Sequence, residues 1–429
     1  MAVVAGCVRS RRHSYDVAAD VRGAPPPAME APPPLLVQLL GGNVVTSAFV
    51  LSCINTVDAT VLRRLHPALA AAIEAVPWAT DAAIRVHDTA RWRAALPAAT
   101  ALKLAPKKEP LSLCRGEALA ALSSVTSMDL ARCLDVTNAV IARLPPTLRA
   151  LHVAECRRLS CTSFLHLLAL ESLDCSNTNA VTAGVAHLPP SLRKLRMHNN
   201  SRQDPADFSH LQNLRVLKCK KQSVFTVASA ASLPPSLEEL DISKLPLYIE
   251  RSELPPAWSI AHLNRLRVFY AVEATIDNAA IATLPPSLLV LNLNSYKPLS
   301  SAVSFVHLTC LHTLRLCGAL IDSGTLATLP LSLVSLDLYE TKGLTLATVF
   351  PPLPELRELN VSYTNIGDAA VASMPAALVE LHMTHCRNVT QRASLDHLVA
   401  LRVVQNDGTD LSSTTIEACL MSGCATSAN

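Results

Sequence analysis

Six closely similar ten-residue segments recur along the chain, and they constrain its fold more than any other feature of the sequence. The clearest copy is LPPSLEELDI from Leu233 to Ile242, and the others begin at Leu144, Leu188, Leu284, Leu329 and Met374. A weaker L-x-x-L-x-L copy lies about midway between neighbours. Together they define thirteen units, which begin at residues 125, 148, 170, 192, 214, 237, 266, 288, 311, 333, 356, 378 and 401. Such recurrence predicts a solenoid, in which each unit packs only on its neighbours.

The period identifies the kind of repeat. Eleven of the twelve steps between units measure 22 or 23 residues, and the step from residue 237 to residue 266 measures 29. This period and the L-x-x-L-x-L core resemble the leucine-rich repeat, in which each unit gives one short strand to a parallel sheet. The resemblance implies an α/β solenoid: a horseshoe with a parallel concave sheet over residues 125–418, preceded by a small all-α module. Cys156 and Cys386, at the ninth position of their units, resemble the cysteine-containing subclass found in F-box proteins.

The spacing also predicts a direction for each position of a unit. We expect the first, fourth and sixth residues to point into the solenoid, and the third, fifth and seventh to face solvent on the concave side. The proline pairs stand just before each predicted strand, where they end the preceding helix and favour extended backbone. Short convex helices are expected in segments such as residues 368–372.

The ninth position of a unit normally supplies a small polar group to the backbone of the turn. Such residues occur at both ends of the array, as Cys133, Cys156, Thr178, Asn200, Thr341, Thr364, Cys386 and Thr409. In the middle, the position is taken by Gln222, Leu245, Ala274, Tyr296 and Ala319. The long step adds the segment from Tyr248 to Ala257 in the same region. We therefore expect an irregularity or bend between residues 237 and 266, with a protruding loop.

The segments that flank the repeats differ from them in composition. Residues 1–34 carry two triple-proline runs among small and charged residues, which is typical of a disordered arm, and Met29 is an alternative start. Residues 35–98 have apolar residues at helical spacing and predict a helical module. We interpret residues 99–124 as a linker and N-terminal cap, and residues 419–429 as a tail.

Part of the helical module resembles a degenerate F-box. The resemblance rests on the apolar run from Val50 to Ile54, on Asp58, on LRRL from Leu62 to Leu65, and on Trp78 and Trp92 behind them. It implies that the module docks on a Skp-like adaptor of a ubiquitin ligase. The docking residues would be Leu51, Ile54, Leu62 and Leu65. The alternative is a plain helical cap that shields the first repeat.

Bulk properties narrow the functions of the chain. The net charge is only +3 over 429 residues, which argues against nucleic acid binding through bulk charge. Glycine is scarce, at 12 residues, and no glycine-rich phosphate motif occurs, so the sequence favours neither an enzyme nor a cofactor. The 13 cysteines include no C-x-x-C pair, and the apolar runs are far shorter than a membrane span. These features favour reduced thiols in a cytoplasmic or nuclear protein without a membrane anchor.

Several histidines occur in phase with the repeats. Six of the 14 stand in a His-Leu pair before a predicted strand, as His166, His187, His210, His262, His307 and His397. A residue that recurs in phase has the same packing role each time, and we expect these imidazoles to bond neighbouring carbonyl groups. His382 and His385 beside Cys386 form a local group of metal-ligand types, whose spacing favours a chance surface grouping over a metal site.

Charged residues on the predicted concave face indicate where a partner would bind. Three consecutive units present Lys194, Arg196, His198, Lys218, Lys220, Glu239 and Asp241, and the far end of the array adds Asp337, Glu358 and Glu380. Within the LPPSLEELDI copy, we expect Glu239, Asp241 and Ser243 to be free of structural roles. A surface of alternating sign suits a protein partner with complementary charge, although a solenoid must also solvate its sheet.

These observations predict a non-enzymatic scaffold that binds another protein on its concave face. The sharper version is the substrate receptor of an F-box ubiquitin ligase, with the helical module on the adaptor and the sheet on the target. The alternative is a purely structural or regulatory scaffold without a link to a ligase.

Overall fold

The structure of the protein is a computed structural model. It describes residues 64, 67–76, 85–86, 89–104, 122–134, 136–160, 163–178, 180, 185–200, 207–220, 227–243, 258–274, 276, 278–294, 303–412, 414–417 and 419. The chain divides into two compact units: residues 1–54 with 58–73, and residues 55–57 with 74–429. The described part of the first unit is residue 64 and residues 67–73, which belong to helix α1 (Pro67–Ala75).

The second unit is built on a parallel sheet of fifteen strands, in which each strand pairs with the strands before and after it in the chain. The strands are β1 (Arg85–Val86), β2 (Ala101–Leu104), β3 (Ser127–Asp129), β4 (Ala150–His152), β5 (Ser172–Asp174), β6 (Lys194–Arg196), β7 (Val216–Lys218), β8 (Glu239–Asp241), β9 (Val268–Tyr270), β10 (Val290–Asn292), β11 (Thr313–Arg315), β12 (Ser335–Asp337), β13 (Glu358–Asn360), β14 (Glu380–His382) and β15 (Val403–Gln405). Strict sequence order is the topology of a solenoid. The predicted α/β solenoid is therefore confirmed.

Strands β3 to β15 occupy the third to fifth positions of the thirteen predicted units. The pairing keeps this register from strand to strand, so that fourth-position residues stand opposite one another, as Leu151 and Leu173 do. First, fourth and sixth positions are buried in the twelve units that begin at residues 125 to 378. In the last unit, Val404 and Asn406 are only half-buried, because β15 has a strand on one side only.

The sheet begins earlier than the sequence predicts. β1 lies within residues 35–98, which the sequence pattern assigns to helices, and β2 lies within residues 99–124, assigned to a linker and cap. Leu102 of β2 stands opposite Met128 of β3, and Ala99 is buried three residues before Leu102. Residues 99–104 thus follow the repeat pattern with alanine in the first position, so a search for leucine passes over them. Helix α2 (Thr89–Ala95) lies between β1 and β2.

Short helices precede the LPPSL-type segments and explain why the similarity is strongest in every second unit. They are α3 (Asn138–Ile141), a 3₁₀ turn at Val185–His187, α4 (Val227–Ala231), α5 (Asn278–Ala282), α6 (Ser323–Leu326) and α7 (Asp368–Ala372). The intervening units have hydrogen-bonded turns instead, such as the bond from Leu167 N–H to the Phe164 carbonyl at 3.0 Å. The helix predicted at residues 368–372 is confirmed.

Each LPPSL-type segment forms a turn and bonds to the preceding unit. The leucine after the serine donates its backbone N–H to the carbonyl of the first proline of the segment, as Leu192 does to the Pro189 carbonyl at 3.2 Å. The serine hydroxyl donates to the first-position carbonyl of the preceding unit. This bond measures 2.8 Å from Ser191 to Leu170, Ser236 to Leu214, Ser287 to Leu266 and Ser332 to Leu311. Thr147 makes the same bond to Val125 at 3.1 Å, and the sixth copy carries Ala377 there.

The eighth position of a unit has left-handed backbone wherever it is described. Gly318 and Gly408 occupy it in two units, and the other residues are Arg132, Glu155, Asn177, Asn199, Glu273, Glu340, Tyr363 and His385, with φ from 50° to 63°. Left-handed backbone costs a residue that has a Cβ about 1–2 kcal/mol. The sharp turn after each strand imposes this conformation, and most units nevertheless carry a side chain there.

The ninth position was predicted to supply a small polar group to the backbone of the turn. This prediction is confirmed at the residues whose side-chain hydrogen bonds follow. The hydroxyl groups of Thr178, Thr341, Thr364 and Thr409 donate to the sixth-position carbonyl of their own unit at 2.5–2.8 Å. The thiols of Cys156 and Cys386 donate to the sixth-position carbonyl of the preceding unit at 3.1 Å. Asn200 accepts the N–H of Thr178 at 3.1 Å. The ninth position therefore satisfies backbone groups that the turn would otherwise leave unpaired.

The strand pairing shows no irregularity between residues 237 and 266, while the predicted bend and protruding loop stay predictions. β8 pairs with β9 in the common register, with Leu240 opposite Phe269. Ala274 and Ala319, which lack a polar group at the ninth position, are buried. The segment from Tyr248 to Ala257 lies outside the described residues, as do Gln222, Leu245 and Tyr296. The longer step thus leaves the strand register unchanged.

A matched pair of substitutions tests the serine bond between units. Ser287→Ala removes the hydroxyl group that donates to the Leu266 carbonyl, so we expect the free energy of unfolding to fall by about 1 kcal/mol. Ala377→Ser supplies a hydroxyl group to the copy that lacks one, so we expect a smaller gain in the same quantity, below about 1 kcal/mol. Urea unfolding followed by circular dichroism measures both, and a destabilising Ala377→Ser would contradict this role.

Candidate partner-binding face

The solvent-facing side of the sheet is the candidate functional site. Successive residues of a strand point to opposite faces, so the third and fifth positions of every unit share the face opposite the core. In β6, Lys194 and Arg196 are exposed on either side of the buried Leu195. Fifteen paired strands therefore display their outward residues in continuous rows.

Four fifth-position residues form a charged ladder across β2 to β5. Lys103 Nζ lies 2.7 Å from Asp129 Oδ2, and His152 Nδ1 lies 3.2 Å from Asp129 Oδ1. The other ring nitrogen of His152 lies 3.5 Å from Asp174 Oδ2. His152 therefore bridges two carboxylates. The members of this group come from four units and are far apart in the sequence, so only a comparison of fifth positions down the array predicts it.

These contacts shift the titration of two members of the ladder. The hydrogen bond with Asp129 raises the pKa of His152 against the opposing effect of burial, and the charge of Asp174 adds to the rise. Burial by itself would raise the pKa of Asp129, but hydrogen bonds from His152 and Lys103 outweigh it, and the net shift of the Asp129 pKa is downward. Protonation of His152 therefore strengthens the ladder.

Four of the predicted partner-binding residues are paired with each other. Lys218 Nζ lies 2.6 Å from Glu239 Oε1, and Lys220 Nζ lies 3.0 Å from Asp241 Oδ2. Asp241 is 2 % exposed, and its Oδ1 accepts the N–H of Ser243 at 3.1 Å. The Ser243 hydroxyl in turn accepts a backbone N–H of the next unit at 3.2 Å. The prediction that Glu239, Asp241 and Ser243 are free of structural roles is therefore wrong.

The remaining predicted residues lie in the unit of β6. Lys194 and Arg196 are exposed, and in the described part of the chain neither has an ion-pair partner. His198 is half-buried, its Nδ1 accepts the N–H of Lys220 at 3.1 Å, and burial lowers its pKa. His198 thus links two units, and the unneutralised positive charge of the predicted patch belongs to Lys194 and Arg196.

Fifth and seventh positions have structural roles in many units of the sheet, which corrects the expectation that they simply face solvent. Fifth-position oxygens accept the N–H two residues later at 3.0–3.2 Å in Asp129, Asp174, Asp241, Asn292, Asp337 and Asn360. Seventh-position side chains accept the N–H of the seventh residue of the next unit at 3.0–3.2 Å in Ser176, His198, Ser243, Asn294 and Ser362. In the unit of β6, by contrast, the third-position Lys194 and the fifth-position Arg196 are both exposed.

The far end of the sheet carries acidic and aromatic side chains. Glu358 of β13 and Glu380 of β14 stand opposite each other in register. In the turns after the strands, Tyr363 lies between Tyr339 and His385, with ring centroids 5.3 Å and 4.7 Å apart. The acidic residues were predicted to lie on this face, but the rings were not, although Tyr363 and His385 share the eighth position of consecutive units.

The histidines that recur in phase have the predicted role at three positions. His210, His262 and His397 place Nε2 at 3.0–3.2 Å from the carbonyl groups of Leu188, Leu233 and Met374, which begin the preceding LPPSL-type segments. The buried Nε2 atoms of His166 and His307 have no hydrogen-bond partner among the described residues, and His187 is exposed. The prediction is thus confirmed at three of the six.

The group of His382, His385 and Cys386 does not converge. His382 Nδ1 lies 2.8 Å from Gln405 Oε1, the His385 ring packs on Tyr363, and the Cys386 thiol points to a buried carbonyl. In the part of the chain that the structure describes, no three histidine, cysteine or acidic residues could hold a metal ion together.

The described cysteines are free thiols, eight in number. Burial raises the pKa of Cys156, Cys175 and Cys317 to about 12, and it also raises the pKa of Cys386 and Cys419. Cys310 is the exposed member of this set. Reactivity toward alkylating reagents should therefore concentrate at Cys310 within the described residues.

The predicted adaptor-docking residues Leu51, Ile54, Leu62 and Leu65 lie outside the described residues. Among the helices that are described, none combines the length and the apolar character needed to cross a bilayer.

Comparison with solved structures agrees with the strand order. The mouse RP105/MD-1 complex is similar with a TM-score of 0.52 and 17% identity, over 75% of this chain and 61% of that chain. An LRR protein of Leptospira interrogans has a TM-score of 0.48 and 15% identity, over 82% of this chain and 92% of that chain. An internalin of Listeria monocytogenes has a TM-score of 0.44 and 16% identity, over 67% of this chain and 87% of that chain. No protein-family model and no curated protein matches the chain. The fold is that of a leucine-rich repeat solenoid.

The ladder around His152 makes stability depend on pH. The pKa of His152 in the folded protein is raised above its unfolded value of about 6.5. The stabilisation is therefore fully present below about pH 6.5 and is lost as the pH rises through the folded pKa of His152. We expect the advantage of the wild type over His152→Gln in urea unfolding to shrink as the pH rises above about 6.5. His187→Gln, which changes an exposed histidine outside the sheet, is the control, and a constant advantage of the wild type would contradict the role of the ladder.

Thiol labelling tests the burial of the cysteines. In the folded protein, N-ethylmaleimide should modify Cys310 rapidly at neutral pH, whereas Cys156 and Cys175 should react only after unfolding, because their thiolate fraction and access are both low. Peptide mass spectrometry after timed labelling measures each site. Rapid modification of Cys156 in the folded state would show that its unit opens.

Proposed function

We propose that the protein is a non-enzymatic scaffold that binds another protein on the solvent-facing side of its sheet. One observation carries this proposal: Lys194 and Arg196 are exposed and have no ion-pair partner among the described residues, whereas the lysines of the next unit are paired. A face that only needed solvation could use the same pairing throughout. Two exposed cations on one face of β6 provide a site for the carboxylates of another protein.

The fold supports a binding role of this kind. A solenoid places outward residues from many units on one extended surface, which suits a large partner better than a small ligand. The similar mouse RP105 structure is a complex with a second protein, MD-1. As part of the proposal, we extend protein binding from that complex to this chain. The hydrogen-bonded residues at fifth and seventh positions hold the surface rigid, which lowers the entropy lost on binding.

Charge-reversal variants test the proposal. Lys194→Glu with Arg196→Glu should leave the urea unfolding midpoint nearly unchanged, because both side chains are exposed, and should reduce partner capture at least tenfold. Partners are identified by photo-crosslinking from the third position of β10, Val290, in cell extract. Arg265→Glu with Arg392→Glu makes the same charge change at exposed residues outside the strands and should retain capture. Equal capture by both double variants would refute the proposed site.

The link to a ubiquitin ligase is the finer part of the proposal. We propose that the segment with Leu51, Ile54, Leu62 and Leu65 docks on a Skp-like adaptor, which would make the chain a substrate receptor. Free thiols at all eight described cysteines support a reducing compartment such as the cytoplasm. The test is to co-express the adaptor with the full wild-type chain and, separately, with the Leu62→Asp and Leu65→Asp double variant, and to measure how much adaptor co-purifies. We expect the adaptor to co-purify with the wild type and not with the variant. If it co-purifies with neither, the chain is a scaffold without a link to a ligase.

A further inference from the structure

The ring stack at the far end of the sheet is exposed to solvent. Tyr339 is 37 % exposed and Tyr363 is 48 % exposed. Tyr363 packs against both Tyr339 and His385, so three rings from three consecutive units form one aromatic surface. The left-handed backbone of Tyr363 and His385 is common to the eighth positions of other units and does not distinguish the rings; their exposure and mutual stacking do.

The acidic pair beside the rings works against stability. Glu358 and Glu380 are directly opposite in a sheet whose strands lie about 4.8 Å apart, and like charges in that arrangement repel. Glu358 has no cationic partner among the described residues, and Glu380 reaches only His382, at 3.9 Å. The guanidinium group of Arg357 is engaged with the Ala377 carbonyl and Glu355 instead. Among the described residues, the carboxylate of Glu358 is therefore uncompensated, and that of Glu380 has only the imidazole of His382 near it.

The rings lie on three consecutive units, and two of these units also carry the acidic pair. Glu358 and Glu380 occupy the third position of their units, and Tyr363 and His385 occupy the eighth position of the same two units. Glu340, exposed in the eighth position before Tyr363, brings a further carboxylate beside the rings. We call the surface of Tyr339, Tyr363, His385, Glu358 and Glu380 the aromatic-acidic surface.

We propose that the aromatic-acidic surface binds an arginine-rich segment of a protein partner. A guanidinium group stacks on aromatic rings and also pairs with carboxylates, so it is the side chain that fits both halves of the surface. Uncompensated carboxylates repel phosphates, which excludes a nucleic acid or an anionic lipid headgroup as the ligand. This inference rests on the proposed function, since it assigns partner chemistry to a second part of the same face, of opposite sign to Lys194 and Arg196.

Peptide binding to the full chain tests the assignment. The probe is a flexible, fluorescently labelled peptide with three arginines separated by glycine and serine. Matched peptides carry lysine, citrulline or glutamate in place of arginine, and fluorescence anisotropy measures the affinity. We expect the order arginine, then lysine, with no measurable binding of the citrulline and glutamate peptides, because ring stacking and charge both favour guanidinium.

Variants locate the binding. Glu358→Gln with Glu380→Gln should weaken the arginine peptide about fivefold and raise the urea unfolding midpoint, because the same change removes a repulsion. Tyr363→Leu should weaken it about threefold, and Tyr363→Phe should retain it. The control is Glu171→Gln with Glu238→Gln, which removes the same charge from carboxylates paired with Arg149 and Arg215 and should leave affinity unchanged.

The outcomes separate this inference from the proposed function. Equal weakening by the site and control variants, or a preference for the glutamate peptide, would overturn the aromatic-acidic surface as an arginine site. Self-association abolished by Glu358→Gln with Glu380→Gln would assign it to a second copy and also overturn the inference. If partner capture depends on Lys194 and Arg196 while no arginine peptide binds, the inference alone fails. If capture ignores every variant on this face, the proposed function fails.

Discussion

The structure depends on the burial of three residues per unit against the equivalent residues of the neighbouring units. Each of these side chains contributes about 1.5–3 kcal/mol on burial before the loss of chain entropy is counted. Neither a unit nor its strand of three residues can provide a core alone, so each is stable only between neighbours. This constraint confines apolar side chains to the first, fourth and sixth positions and releases the outward positions of the strand for other roles.

Side-chain hydrogen bonds satisfy backbone groups that apolar packing leaves without partners. Threonine and cysteine at the ninth position satisfy sixth-position carbonyls, and the Val361 carbonyl receives both Thr364 and Cys386. Serine in the LPPSL-type segments does the same for first-position carbonyls. These bonds place small polar residues at fixed positions, so much of what is similar between the copies reflects backbone satisfaction and carries no information about a ligand.

Sequence periodicity was enough to predict the register of thirteen strands, because leucine spacing and strand pairing express the same packing requirement. It did not predict β2, where Ala99 replaces leucine at the first position and the packing is nonetheless preserved. The site was predicted less well, because pairing across strands is a property of neighbours about 22 residues apart. Lys218 and Glu239 appear as separate charges in the sequence and form one neutral pair in the structure. The His152 ladder and the ring stack were not predicted for the same reason, because their members come from different units.

The left-handed eighth position gives the rim of the sheet an unusual tolerance to change. Since the backbone strain is common to nearly every residue with a Cβ, exchanging one unbranched side chain for another there alters stability little, and the rim can diversify while the core stays constant. The exception is Gly408, where a Cβ would lie 2.4 Å from His385 Nδ1. The final unit must therefore remain without a side chain for the ring of His385 to keep its place. At Gly408 the limit on the side chain is therefore the steric contact with His385 and not the conformation of the turn.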